Sequence, residues 1–257
     1  MEFANYLSEQ NIITALLLFI RMTALMVFFP FFNHNQIHFS IKTSLALMLT
    51  IFVFPMTPLV NIEPSLNVQY LILEAISEIF FGLCAGILLV LVFGVLSMAG
   101  EQISMNMGFS MANVMDPQSG VNSPLIVNSL NIIVLMAFLL FDGHHLILYF
   151  ISKSTVLLPL GEFMPGTNLA QYVIKGVANM FLFGFIVAFP IVGMALLADL
   201  IFGMLMKTMP QFNLLVVGFP IKITVAFIIL ILVLGAIVKL MTNLFLNTLN
   251  DMPSLFF

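Results

Sequence analysis

Few side chains in this sequence could do chemistry, and the densest group is Asp142-Gly143-His144-His145. A carboxylate beside two imidazoles is the raw material of a metal site or a proton relay. Neighbouring residues on a helix point about 100° apart, however, and no second cluster supplies missing ligands. Buried, satisfied polar contacts at a helix break are therefore the expected role of Asp142, Gly143 and His144, with no metal and no cofactor. Glu74 and Glu78 stand four apart and share a helix face, where a solvated first turn near the positive end of the helix dipole would suit them. Arg21 sits inside an apolar run, where a cation costs about 2.5–3.5 kcal/mol on insertion scales, so it needs a buried partner or a cavity. Asp199 ends another apolar run and joins Arg21 among the expected buried polar groups.

The elements around these residues belong to a membrane. The chain has 257 residues, 62% hydrophobic and 7% charged, with a mean hydropathy of +1.19. Soluble domains carry about 25% charged residues. A net charge of −4 with no basic run excludes a nucleic-acid surface. Cys84, the one cysteine, excludes a disulfide framework. The first residues lack the positive region of a cleavable signal, so the first apolar run is expected to be retained. Apolar runs at Ile12–Phe32, Ser44–Val60, Ile79–Ala99, Leu125–Phe141, Gly176–Ala198 and Ile223–Leu240 predict an all-α integral membrane protein of about six hydrophobic helices. Pro55 and Pro58 should end the second run. A shorter run follows at Leu146–Ile151, a polar connection is read at Lys153–Lys175, and a polar tail at Thr242–Asn250. Lys42, Lys207 and Lys222 fall on the side opposite the termini, against Lys153 and Lys175, and place that side in the cytoplasm by one charge.

The stretch from Gly100 to Pro124 interrupts this pattern. It carries amides, hydroxyls, Glu101 and Asp116, two prolines, and Met105, Met107, Met111 and Met115, with Met98 just before. Backbone that is neither helix nor barrel at membrane depth is tolerated only where protein buries it or water lines it. The stretch is thus either an ordinary loop or a re-entrant element in a pathway. The 19 methionines read equally as adaptable core filler or as soft side chains around a passage. No Walker-type loop, HExxH or GxSxG is present, and an enzyme is not expected. Two other readings stay open: a small-solute transporter or channel using Arg21, Asp142, His144 and Asp199, and a metal protein using Asp142, His144 and His145.

Gly100-Glu101-Gln102-Ile103, Met107-Gly108-Phe109-Ser110, Asp116-Pro117-Gln118-Ser119-Gly120, Gly143-His144-His145, Phe189-Pro190, and Pro210-Gln211-Phe212-Asn213 through Gly218-Phe219-Pro220-Ile221-Lys222 together resemble, in order and spacing, the FliR family of flagellar biosynthetic proteins. An injectisome family, SctT, shares much of the pattern. Lys207 stands where the family usually has arginine, which keeps the charge and gives up a bidentate contact. The resemblance implies a single-copy subunit of a type III export gate in the bacterial inner membrane, at the flagellar basal body. It implies FliP and FliQ as ring partners, FlhB and FlhA at the cytoplasmic side, and unfolded flagellar subunits as cargo. It also implies a FliP-like part, 1–175, joined to a FliQ-like hairpin, 176–257. By the same resemblance 101–123 is a plug, with Met105, Met107, Phe109, Met111 and Met115 as the seal and Gly108 and Gly120 as its flexible points beside Asp116 and Pro117. The segment with Lys207, Pro210, Gln211, Asn213, Gly218, Phe219, Pro220 and Lys222 then faces FlhB.

Overall fold

The computed structural model describes residues 8–28, 38–60, 68–108, 125–209 and 217–257. Among them are seven α-helices and no strand: α1 (Glu9–Phe28), α2 (Phe39–Val53), α3 (Val68–Met107), α4 (Leu125–Leu140), α5 (Gly143–Leu157), α6 (Thr167–Thr208) and α7 (Phe219–Phe256). Five are long and apolar enough to cross a membrane, and α4 with α5 makes a sixth candidate. This is an all-α integral membrane protein.

The helices differ from the apolar runs chiefly at their ends. α2 stops at Val53, where a 3-10 turn, Phe54–Met56, takes Pro55 at its start, as the prolines predict. α3 begins earlier than its run and continues through Gly100 to Met107, so the first eight residues of the central stretch are helical. The connection read at Lys153–Lys175 shrinks to 158–166, because α5 extends to Leu157 and α6 starts at Thr167. The expected polar tail is helical as well. Phe245, Leu249, Met252 and Phe256 recur there at helical spacing and are all buried. Polar residues on the far face hid that stripe from a hydropathy reading.

The chain forms two compact units, with α3, α6 and α7 contributing to both: Met1–Leu91 with Asp142–Gly176 and Phe245–Phe257, and Val92–Phe141 with Val177–Leu244. In the first, α1 packs against α2, and Gln10 and Thr14 of α1 bond the Val60 backbone at 2.9 and 3.2 Å. Phe81 anchors its core, stacked on Phe150 at 6.0 Å and edge-on to Phe163 and Phe256 at 5.3 and 5.1 Å. In the second unit, helices approach through glycine. A Cβ at Gly100 would lie 2.8 Å from Val127, and one at Gly184 would lie 2.9 Å from Met98. Such small-residue contacts let apolar helices pack where lipid offers no hydrophobic contrast.

Candidate functional site

The first polar centre is built on Arg21, on α1, which is fully buried together with Glu78 of α3. The guanidinium is bidentate on the carboxylate: Nε donates to Oε2, and Nη2 donates to Oε1 at 2.9 Å. Nη1 donates to the carbonyls of Ser154 and Leu158 at 3.2 and 3.3 Å. These are carbonyls at the C-terminal end of α5, where the negative end of the dipole attracts a cation, and the Ser154 carbonyl also accepts the Leu158 N–H at 3.0 Å. Glu78 Oε1 also accepts from the Gly161 backbone N–H at 2.6 Å, and the guanidinium lies 4.7 Å from the centre of the Phe81 ring. One ion pair thus fixes α1, α3, α5 and the turn after α5.

The sequence demands a buried partner or a cavity for Arg21, and Glu78 is that partner. It misplaces Glu78, which is no solvated first-turn residue: α3 starts at Val68, so Glu78 lies in its third turn, inside the core. The usable signal is the mutual need of a cation and a carboxylate embedded in separate apolar runs.

Asp142 is also a correction, being an exposed residue and not a buried one. It is the N-cap of α5, and its carboxylate lies 3.3 Å from His145 Nδ1. Gly143 is buried and His144 half-buried.

In the second unit, Lys222 Nζ donates to both carboxylate oxygens of Asp199 at 2.7 Å. The lysine side chain is 8% exposed and the aspartate 53%. The expectation of a buried Asp199 and a loop Lys222 is therefore reversed. Lys222 lies in the first turn of α7, with Phe219 and Pro220 ahead of it. Proline is tolerated there because the first turn has no use for its N–H. Gly218 is buried just before, and Lys207 is exposed in the last turn of α6, where its charge suits the helix dipole. Pro210, Gln211 and Asn213 lie outside the described residues.

The central stretch leaves α3 at Gly108, whose φ of +88° is left-handed and whose N–H bonds Met105 O at 3.2 Å. A helix stop of this kind suits glycine, which has no Cβ to clash. Met107 is fully buried in its own unit, whereas Met105 is 65% exposed. Of these two expected seal residues, only Met105 presents a free side chain. Phe109, Met111, Met115, Asp116, Pro117 and Gly120 lie outside the described residues.

A polytopic helical membrane protein whose buried charges are paired internally is the class that these features define. The family model described as bacterial export proteins, family 1, matches residues 12–248. The flagellar biosynthetic protein FliR of Bacillus subtilis (strain 168) is 34% identical over 244 residues, 93% of each chain. FliR of Pectobacterium carotovorum subsp. carotovorum is 33% identical over 227 residues, 88% of this chain and 86% of the relative. FliR of Escherichia coli (strain K12) is 28% identical over 231 residues, 90% and 88% of the two chains. The chain belongs to the bacterial export protein family 1.

Proposed function

We propose that this chain is a non-enzymatic subunit of the flagellar type III protein export gate in the bacterial inner membrane, at the flagellar basal body. It forms the channel with FliP and FliQ, with FlhB and FlhA on the cytoplasmic side, and passes unfolded flagellar subunits. The relatives' names support the flagellar system over the injectisome alternative.

The observation that carries the reading is the length and bareness of α6 and α7. At 42 and 38 residues they extend about 63 and 57 Å, whereas a hydrocarbon core is about 30 Å thick. Yet large apolar side chains stay exposed along α6 from Ile174 to Met206, well beyond one core thickness, and along α7 from Ile221 to Leu232. Lipid alone matches roughly half of such a length, and partner subunits cover the remainder. That fits a FliQ-like hairpin, 176–257, beside a FliP-like part, 1–175. In the proposed gate 101–123 is the plug. An apolar, deformable constriction suits a seal that must exclude ions and still admit a chain. The segment after Lys207 meets FlhB.

The test places a photo-crosslinking residue at Met105 and, as a control, at the exposed Ile231 of α7, with an export substrate stalled in the gate. The expected result is a crosslink to the stalled chain from position 105 and none from 231. Crosslinks from neither position, with the substrate captured elsewhere in the gate, would remove the central stretch from the export path.

A further inference from the structure

The cluster at the start of α5 has a geometry that neither ion pairing nor helix capping uses fully. Asp142 has φ 55° and ψ 26°, and it is the one non-glycine residue with positive φ among the described residues. An N-cap aspartate ordinarily has extended backbone and accepts from an N–H of the first turn. Asp142 makes no such bond. Its carboxylate turns instead to His145, Oδ1 lying 3.3 Å from Nδ1. The His144 ring lies beside that of His145, with centres 4.2 Å apart, and His144 Nδ1 is buried with no hydrogen-bond partner among the described residues. An orphaned buried nitrogen is rare and calls for a ligand or another explanation. One ligand atom from each of the three residues falls within 4.8 Å of the others.

From this juxtaposition we infer that Asp142, His144 and His145 bind a divalent transition-metal ion of the zinc type. Two ligands about 2.0–2.1 Å from a tetrahedral ion stand about 3.3–3.4 Å apart, the separation already present between Asp142 and His145. Closing His144 onto the same ion takes a side-chain adjustment, which its unpartnered nitrogen leaves free. Two imidazoles and one carboxylate favour zinc-like ions over magnesium or calcium, which prefer all-oxygen shells. Exposure of 71% at Asp142 and 67% at His145 gives the ion a path in. The sequence argument that adjacent helical residues diverge does not reach Asp142, which stands outside the helix in a left-handed turn, and the His144 and His145 rings lie side by side although both residues are helical. The ion would pin that turn and the start of α5, whose other end rests on Arg21.

The test titrates the full-length chain, purified in detergent without a histidine tag, with Co(II) as the probe. The expected result is one Co(II) per chain with intense tetrahedral absorption, displaced by Zn(II). Asp142→Asn with His145→Gln should weaken binding at least tenfold, while His38→Gln leaves it unchanged. His144→Gln, made separately, should weaken binding with the exposed pair intact, which keeps the proposal falsifiable if the double variant folds poorly. A weak octahedral spectrum in the wild type, or Co(II) affinity equal to that of the wild type in the His144→Gln and double variants, would overturn the site.

Discussion

Gly108, the last described residue of the central stretch, lies directly against Phe219, the first residue of α7: a Cβ added at Gly108 would come 2.8 Å from the Phe219 ring. Two effects therefore act on any substitution at 108. A left-handed backbone costs a residue with a Cβ about 1–2 kcal/mol, and the ring must move as well. Gly108→Ala should reduce secretion of flagellar subunits, and Phe219→Ala in the same chain should restore part of it. The restored part measures the steric contribution and the remainder measures the backbone. Secretion by Gly108→Ala equal to the parent would mean that neither matters to export.

The Arg21–Glu78 pair gives a sharper contrast. Removing one partner strands a buried charge, at a cost of about 3–5 kcal/mol, whereas replacing both with apolar residues is often neutral. Arg21→Leu and Glu78→Leu should each lower the amount of folded protein in the membrane severely, and the double variant should recover much of it. Arg21→Lys should fall between, because an ammonium keeps the charge and loses the bidentate geometry. A double variant worse than either single one would show that the bonds to Ser154, Leu158 and Gly161 matter more than charge balance.

How much of this was legible in the sequence depends on range. Arg21 announced that it needed a buried partner or a cavity, and Pro55 announced where α2 stops, because both are local facts of chemistry. Glu78 was misread because its partner is 57 residues away, and hydropathy carries no information at that distance. The helix ends were missed for a related reason. Polar residues at 167–175 and 242–250 read as loops, yet they belong to helices that also bury apolar residues there, Leu169 in the first segment and Phe245 and Leu249 in the second. Met105 and Met107 have the same chemistry and opposite exposure, which only the packing of α3 decides.

The second ion pair predicts an asymmetry. Asp199 is half-exposed and Lys222 is buried, so the two deletions are not equivalent. Lys222→Met removes a buried cation and leaves an aspartate that water can solvate, with a loss of about 1 kcal/mol or less. Asp199→Asn leaves a buried ammonium without its counter-charge, costing about 1–3 kcal/mol or more. Heat stability of the detergent-solubilised protein should therefore fall further for Asp199→Asn. The opposite order would mean that Lys222 reaches solvent in the solubilised protein.

Glycines on the long helices separate contacts within the chain from surfaces left for partners. A Cβ at Gly82 of α3 would lie 2.5 Å from the Ala24 Cβ and 2.8 Å from the Leu25 backbone N, so α1 and α3 touch backbone to backbone one turn from Glu78. Gly82→Ala should force these helices apart, disturb the Arg21–Glu78 pair and lower the melting midpoint of the isolated chain. Gly193 of α6 and Gly235 of α7 meet no described atom within 4 Å of such a Cβ. Alanine there gains about 1 kcal/mol of helix propensity, so the isolated chain should be as stable as the parent or slightly more so. If α6 and α7 are faces that FliP and FliQ cover, the same two substitutions should nonetheless reduce co-purification of those partners, because close helix packing has no room for the added methyl. Stable variants that still assemble fully would leave those glycine faces to lipid.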